Sequence, residues 1–189
     1  MAGRKNRQPG KPRSNQPSAR PVRAADTVTA KRTSDGAWQL VEPRCAQDRA
    51  EDLEEVHKMI EAGEIDVAID ELRWLLNGCS DFLEAHTLLG TLAIEAGDLP
   101  LARGHFGYAV RLGVQALERA GAKGPLPYSL PANKALFESG KGLAWCLKEL
   151  GKPELAAEVI GELLKLDPSD PLNVRGLLAQ KDRRGDSAG

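Results

Sequence analysis

Three glycines, Gly63, Gly97 and Gly151, each stand five residues ahead of an alanine, Ala68, Ala102 and Ala156, inside one apolar pattern. The first two are 34 residues apart, a period at which self-similar chains build helix–turn–helix units that bury their faces against one another. The local chemistry agrees with that reading. Gly97 ends a helix where the chain turns left-handed, which costs little only for glycine. Asp98 follows as an acceptor for the free amides of the next helix, and Pro100 falls in that helix's first turn, where its missing N–H is not needed. The expected fold class is all-α.

The middle unit is the clearest. From Leu83 it reads LEAHTLLGTLAIEAGDLPLARGHFGYAVRLGVQA. With Leu89-Gly90 in its first helix, Gly97 at the turn, and Ala102, Phe106 and Ala109 in its second, it resembles the tetratricopeptide repeat. Gly90, lacking a Cβ, is expected to let its helix touch a neighbouring backbone. The preceding unit, Arg49 to Phe82, repeats the pattern with Gly63, Ala68, Leu72 and Leu75, but has Glu55-Val56 where Leu-Gly is usual. A third, Phe137 to Asp170, carries Leu143-Ala144, Leu147, Gly151, Ala156, Ile160, Leu163 and Pro168. Pro171 to Gln180 reads as a C-terminal capping helix with Leu172, Leu177 and Leu178 facing inward. The resemblance covers about seven-tenths of the chain. It implies a right-handed superhelix of about three helical hairpins (49–82, 83–116 and 137–170), within a domain spanning 49–182.

Between the second and third units the register slips, because Gly97 and Gly151 are 54 apart, 20 more than one repeat. The insertion is 117–136. Its start is expected to prolong a helix to about Ala120, while Gly121 to Pro131, with two further-spaced glycines and three prolines, is not expected to be helical. Tyr128 and Leu130 in this loop either meet a partner or cover the repeat junction.

The ends differ from the body in charge. Nine basic residues lie in the first 32, opposed only by Asp26, which gives +8 against −9 for the remainder. Residues 1–36 are polar and proline-rich, with Val22 and Val28 the only large apolar groups after Met1; such a segment is expected to be a disordered basic arm. Arg4, Lys5, Arg7, Lys11 and Arg13 are its polyanion-contact candidates, and weak, nonspecific nucleic-acid binding is the partner they suggest. No aromatic is interleaved among them to stack on bases. Trp38 and Leu40 fall in an extended strap, 37–48, that Trp74 is expected to receive. Residues 183–189 form a short tail containing an Arg-Gly-Asp tripeptide. No apolar core of a signal peptide and no run near the ~20 residues of a membrane span is present, so a cytoplasmic protein without membrane contact is expected.

Catalytic and metal signatures are missing from the pattern. Cys45, Cys79 and Cys146 show no paired spacing and are expected to be reduced. Cys45, His57, Cys79 and His86 match no zinc spacing. Ser139-Gly140-Lys141-Gly142 lacks the upstream glycine and the Ser or Thr of a phosphate loop. No cofactor and no enzyme activity are expected.

The resemblance implies instead a groove lined by the first helix of each hairpin, with a protein or peptide as ligand. Its candidate positions here are His57 and Glu61, Thr87 and Thr91, and Lys141, Trp145 and Lys148. A Lys/Asn carboxylate clamp is not reproduced, since Leu53 and His57 hold the matching places. Trp145, beside two lysines, either anchors a ligand or packs beneath the inserted loop. Homo-oligomerisation through the repeats is a further expectation, and an arm-driven nucleic-acid- or ribosome-associated role is the alternative.

Overall fold

The computed structural model describes residues 27–179. In chain order its elements are β1 (Thr29–Arg32), β2 (Trp38–Val41), α1 (Arg44–Gln47), α2 (Ala50–Glu61), α3 (Ile65–Gly78), α4 (Leu83–Glu95), α5 (Leu99–Arg119), α6 (Pro131–Glu149), α7 (Pro153–Leu166) and α8 (Arg175–Ala179). The described chain is mostly helical.

One turn is used three times. Gly63, Gly97 and Gly151 have φ of 79°, 78° and 70°. Each glycine amide bonds back three residues, to Ile60, Ile94 and Lys148, and the next amide bonds back five, to Met59, Ala93 and Leu147. This pair of bonds satisfies the last carbonyls of α2, α4 and α6. The turns join α2 to α3, α4 to α5 and α6 to α7, and the alanine five residues after each glycine is buried in its hairpin. Asp98 Oδ1 accepts from Leu101 N at 3.0 Å, capping α5 as its sequence position requires. Successive hairpins then pack through α3 against α4 and α5 against α6, with α4 also against α6.

The insertion is absorbed by longer helices. α5 runs to Arg119 and ends in a fourth turn of the same kind at Gly121, while Pro131 opens α6 rather than staying in the loop. Between them, Leu126 is fully buried and its amide bonds to Leu166 O at 3.0 Å. Tyr128 stacks edge-on to Phe137 and gives its amide to Asp167 Oδ2 at 2.9 Å.

Several expectations need correction. β1 and β2 pair antiparallel, Thr29 with Val41 through Arg32 with Trp38, so the arm assigned to 1–36 contains structure from Thr27 onward. Val28, just before β1, is fully buried, because that strand lies on α5, where Arg119 Nη2 donates to Val28 O at 2.9 Å. Trp38 and Leu40 do not reach Trp74. Buried Asn133 of α6 accepts from Leu40 N at 3.0 Å and donates to Trp38 O at 3.1 Å, and Pro125 O accepts from Trp38 N at 2.9 Å. Trp74 remains 53% exposed, with the Arg49 guanidinium 4.6 Å from its ring centre.

The capping segment is helical only over α8. Val174 is its buried anchor, Leu172 and Leu177 pack partly, and Leu178 faces outward at 53% exposure. Gly90 does not meet a backbone; a Cβ there would strike the Phe106 ring. Cys45 and Cys79 are not reduced but joined, because α1 folds back beside the end of α3 and brings their Cα atoms to 5.6 Å. Cys146 alone is free, and it is buried.

Candidate functional site

The first helices of the three hairpins are linked side by side. His57 Nε2 on α2 lies 3.2 Å from Glu84 Oε1 on α4. Thr87 Oγ1 on α4 lies 2.8 Å from Ser139 Oγ on α6 and 3.3 Å from Ala135 O. The second link takes Thr87 out of the expected groove set: it is buried, and its hydroxyl also reaches Leu83 O of its own helix. Thr91 is exposed and bonds to Thr87 O, and Glu61 is exposed at the end of α2. His57 stays partly open.

On α6, Lys141 and Trp145 are half-buried one helical turn apart. Trp145 does not lie beneath the inserted loop; it packs on the small cluster of Ala93, Ala102, Phe106 and Cys146. Lys148 points elsewhere than the groove requires, because its Nζ donates to Leu177 O at 2.7 Å and ties down the C-terminal segment. Arg4, Lys5, Arg7, Lys11 and Arg13, and the 183–189 tail, lie outside the described residues.

A second group of polar side chains was not in the sequence-derived set. His86 of α4 meets His105 and Tyr108 of α5. His86 Nδ1 lies 3.1 Å from His105 Nδ1, and His86 Nε2 lies 3.0 Å from Ser80 O. The Tyr108 ring packs on His86 with centroids 4.5 Å apart, and its hydroxyl donates to Asp81 Oδ1 at 3.3 Å. Burial holds the pKa of both imidazoles below the ordinary histidine value, and for His105 the neighbouring His86 and Arg73 act in the same direction. The signal was faint but present: in an antiparallel hairpin, residues at similar distances before and after the turn face each other, and these two bracket Gly97.

Glu42, just after β2, is the other perturbed group. Its Oε2 accepts from Leu83 N at 3.3 Å and caps α4 from a distance in sequence. Burial pushes its carboxyl up to about 7, with the Leu83 and Glu84 amides opposing and the Glu84 and Asp81 charges adding to the rise.

Among the described residues, no helix is long and apolar enough to cross a membrane. No family model matches the chain, and neither a curated protein nor a solved structure matches it.

Proposed function

We propose that the chain is a noncatalytic tetratricopeptide-like adaptor whose first helices, α2, α4 and α6, offer a groove to a protein or peptide segment. The observation that carries this reading is the turn repeated at Gly63, Gly97 and Gly151, each followed by a buried alanine. The links His57–Glu84 and Thr87–Ser139, which set the first helices in a row, support it further. The groove residues retained in the proposal are His57, Glu61, Thr91, Lys141 and Trp145. Trp145 is the anchor, because a half-buried indole beside a lysine offers both contact area and a cation to an acidic or aromatic side chain. The Cys45–Cys79 bridge supports a compartment that keeps thiols oxidised over the cytoplasm expected from the sequence.

The test is a peptide-display selection on the full chain, followed by affinity measurements on Trp145→Ala and Lys141→Glu. The expected outcome is a loss of more than roughly 1 kcal/mol for Trp145→Ala with helical content retained. Selected peptides that bind both variants as tightly as the parent would overturn the groove. The same peptides are expected to bind with a shallow salt dependence; a steep one would transfer the function to the basic arm.

A further inference from the structure

The His86–His105 pair supports an inference independent of the groove. Ser80 O can only accept, so His86 Nε2 carries a proton and His86 Nδ1 presents a lone pair toward α5. With both rings neutral, His105 Nδ1–H donates into that lone pair across 3.1 Å. We propose that His86 and His105 form the chelating edge of a site for a late first-row divalent cation of the Zn2+ or Cu2+ class, bound by both Nδ1 atoms.

The spacing fits. At metal–nitrogen distances of about 2.0–2.1 Å, nitrogens 3.1 Å apart subtend an angle of about 98° at the ion. That lies between the roughly 90° of square-planar and the roughly 109° of tetrahedral coordination. The bond from His86 Nε2–H to a backbone carbonyl is the outer contact that orients a metal-bound imidazole. Tyr108 against the His86 face limits ring rotation. As the ion enters, the proton between the rings passes to His105 Nε2, so both ligands remain neutral imidazoles and no proton is released.

Charge near the pair is mixed. Arg73 opposes a cation at His105 but is paired with Asp70 at 3.1 Å, and the Asp81 carboxylate acts favourably on His86. Arg111 lies over the Tyr108 ring, 4.5 Å from its centre. Among the described residues no group of three or more His, Cys, Asp or Glu is placed to hold an ion. The pair therefore supplies two ligands and water the rest.

The experiment is a Zn2+ titration of the full chain by calorimetry, paired with long-range proton–nitrogen spectra of the histidine rings. One Zn2+ per chain is expected, with the His86 and His105 Nδ1 signals moving together. His105→Asn keeps an N–H donor for His86 Nδ1 but removes a ligand, and is expected to bind at least about tenfold more weakly. His57→Gln is expected to bind like the parent. Zn2+ that moves neither Nδ1 signal, or that binds His105→Asn undiminished, would overturn the proposal; the ring spectra of the parent decide it even if a variant fails to fold.

Discussion

Phe106 sits between two glycines on different helices, and that arrangement fixes the sign of a substitution. A Cβ built on Gly142 of α6 meets ring carbons Cε2 and Cζ at 2.6 Å, and one on Gly90 of α4 meets Cε1 at 2.6 Å. Carbon atoms rest at about 3.5–4.0 Å, so each added methyl overlaps the ring by about 1 Å. The ring cannot retreat, since it is buried and the opposite glycine's helix stands behind it. Overpacking of this kind costs about 1–3 kcal/mol, against a gain of about 1 kcal/mol for alanine over glycine in a helix. Gly142→Ala is thus expected to destabilise by up to about 2 kcal/mol. Gly104, also helical, has open space where its Cβ would be, and Gly104→Ala is expected to stabilise by about 0.5–1 kcal/mol. Urea unfolding followed by circular dichroism measures both. Adding Phe106→Leu to Gly142→Ala is expected to recover part of the loss, because the smaller side chain vacates the overlap. If Gly142→Ala proves as stable as Gly104→Ala, the clamp reasoning is wrong.

The Cys45–Cys79 bridge closes a separation of 34 residues around the first hairpin, and loop-closure entropy assigns it about 4 kcal/mol. Reductant, or the double change Cys45→Ser with Cys79→Ser, is expected to lower the urea midpoint accordingly. Cys146, whose thiol burial pushes up to about 11, is expected to react with thiol reagents only after unfolding; two further thiols in the denatured, unreduced chain would refute the bridge. Glu42 is expected to give a stability that falls as pH rises. Its folded value of about 7 lies above the ordinary 4.5, so the folded state holds an extra proton between them, and the contribution present below 4.5 is lost through about 7, by at most ~3 kcal/mol. The buried histidines act oppositely: their depressed values give stability present above 6.5 and lost as pH falls. Glu42→Gln is therefore expected to raise stability at neutral pH and leave the acid-side histidine slope; an unchanged profile would mean the carboxyl is solvated.

What the sequence made legible was local. Turn glycines, the Asp98 cap, Pro100 in a first turn and the end of α5 near Ala120 all follow from backbone conformation and nearest neighbours, and each stands where expected. What stayed hidden was long-range. β1 reads as polar because only Ala30 within it and Val28 just before it pack inward, and the sheet is settled by α5 and by Asn133, more than ninety positions away from Leu40. Thr87 looks like a groove residue until α6 arrives with Ser139 beneath it. Lys148 reads as a groove residue until the segment after Asp170 offers it the Leu177 carbonyl. The Cys45–Cys79 pairing depends on a four-residue helix whose placement no spacing rule encodes.

Asn133 carries a consequence for how the molecule comes apart. It is fully buried, and it binds Leu40, Trp38 and, through Nδ2 at 2.9 Å, Pro127 O. Hairpins stacked in a row ordinarily interact only with their neighbours and can melt from either end inward, one unit at a time. Here the strands that precede the first hairpin are fastened onto α5 and α6, beyond the first hairpin altogether. The stack is laced end over middle by its own leading segment. Loosening α6 strips the sheet from its seat, and pulling the sheet away breaks the bonds of buried Asn133 to Leu40 and Trp38 and the bond of Trp38 to Pro125 O. The sheet and α6 are therefore expected to be lost together, rather than in their order along the chain.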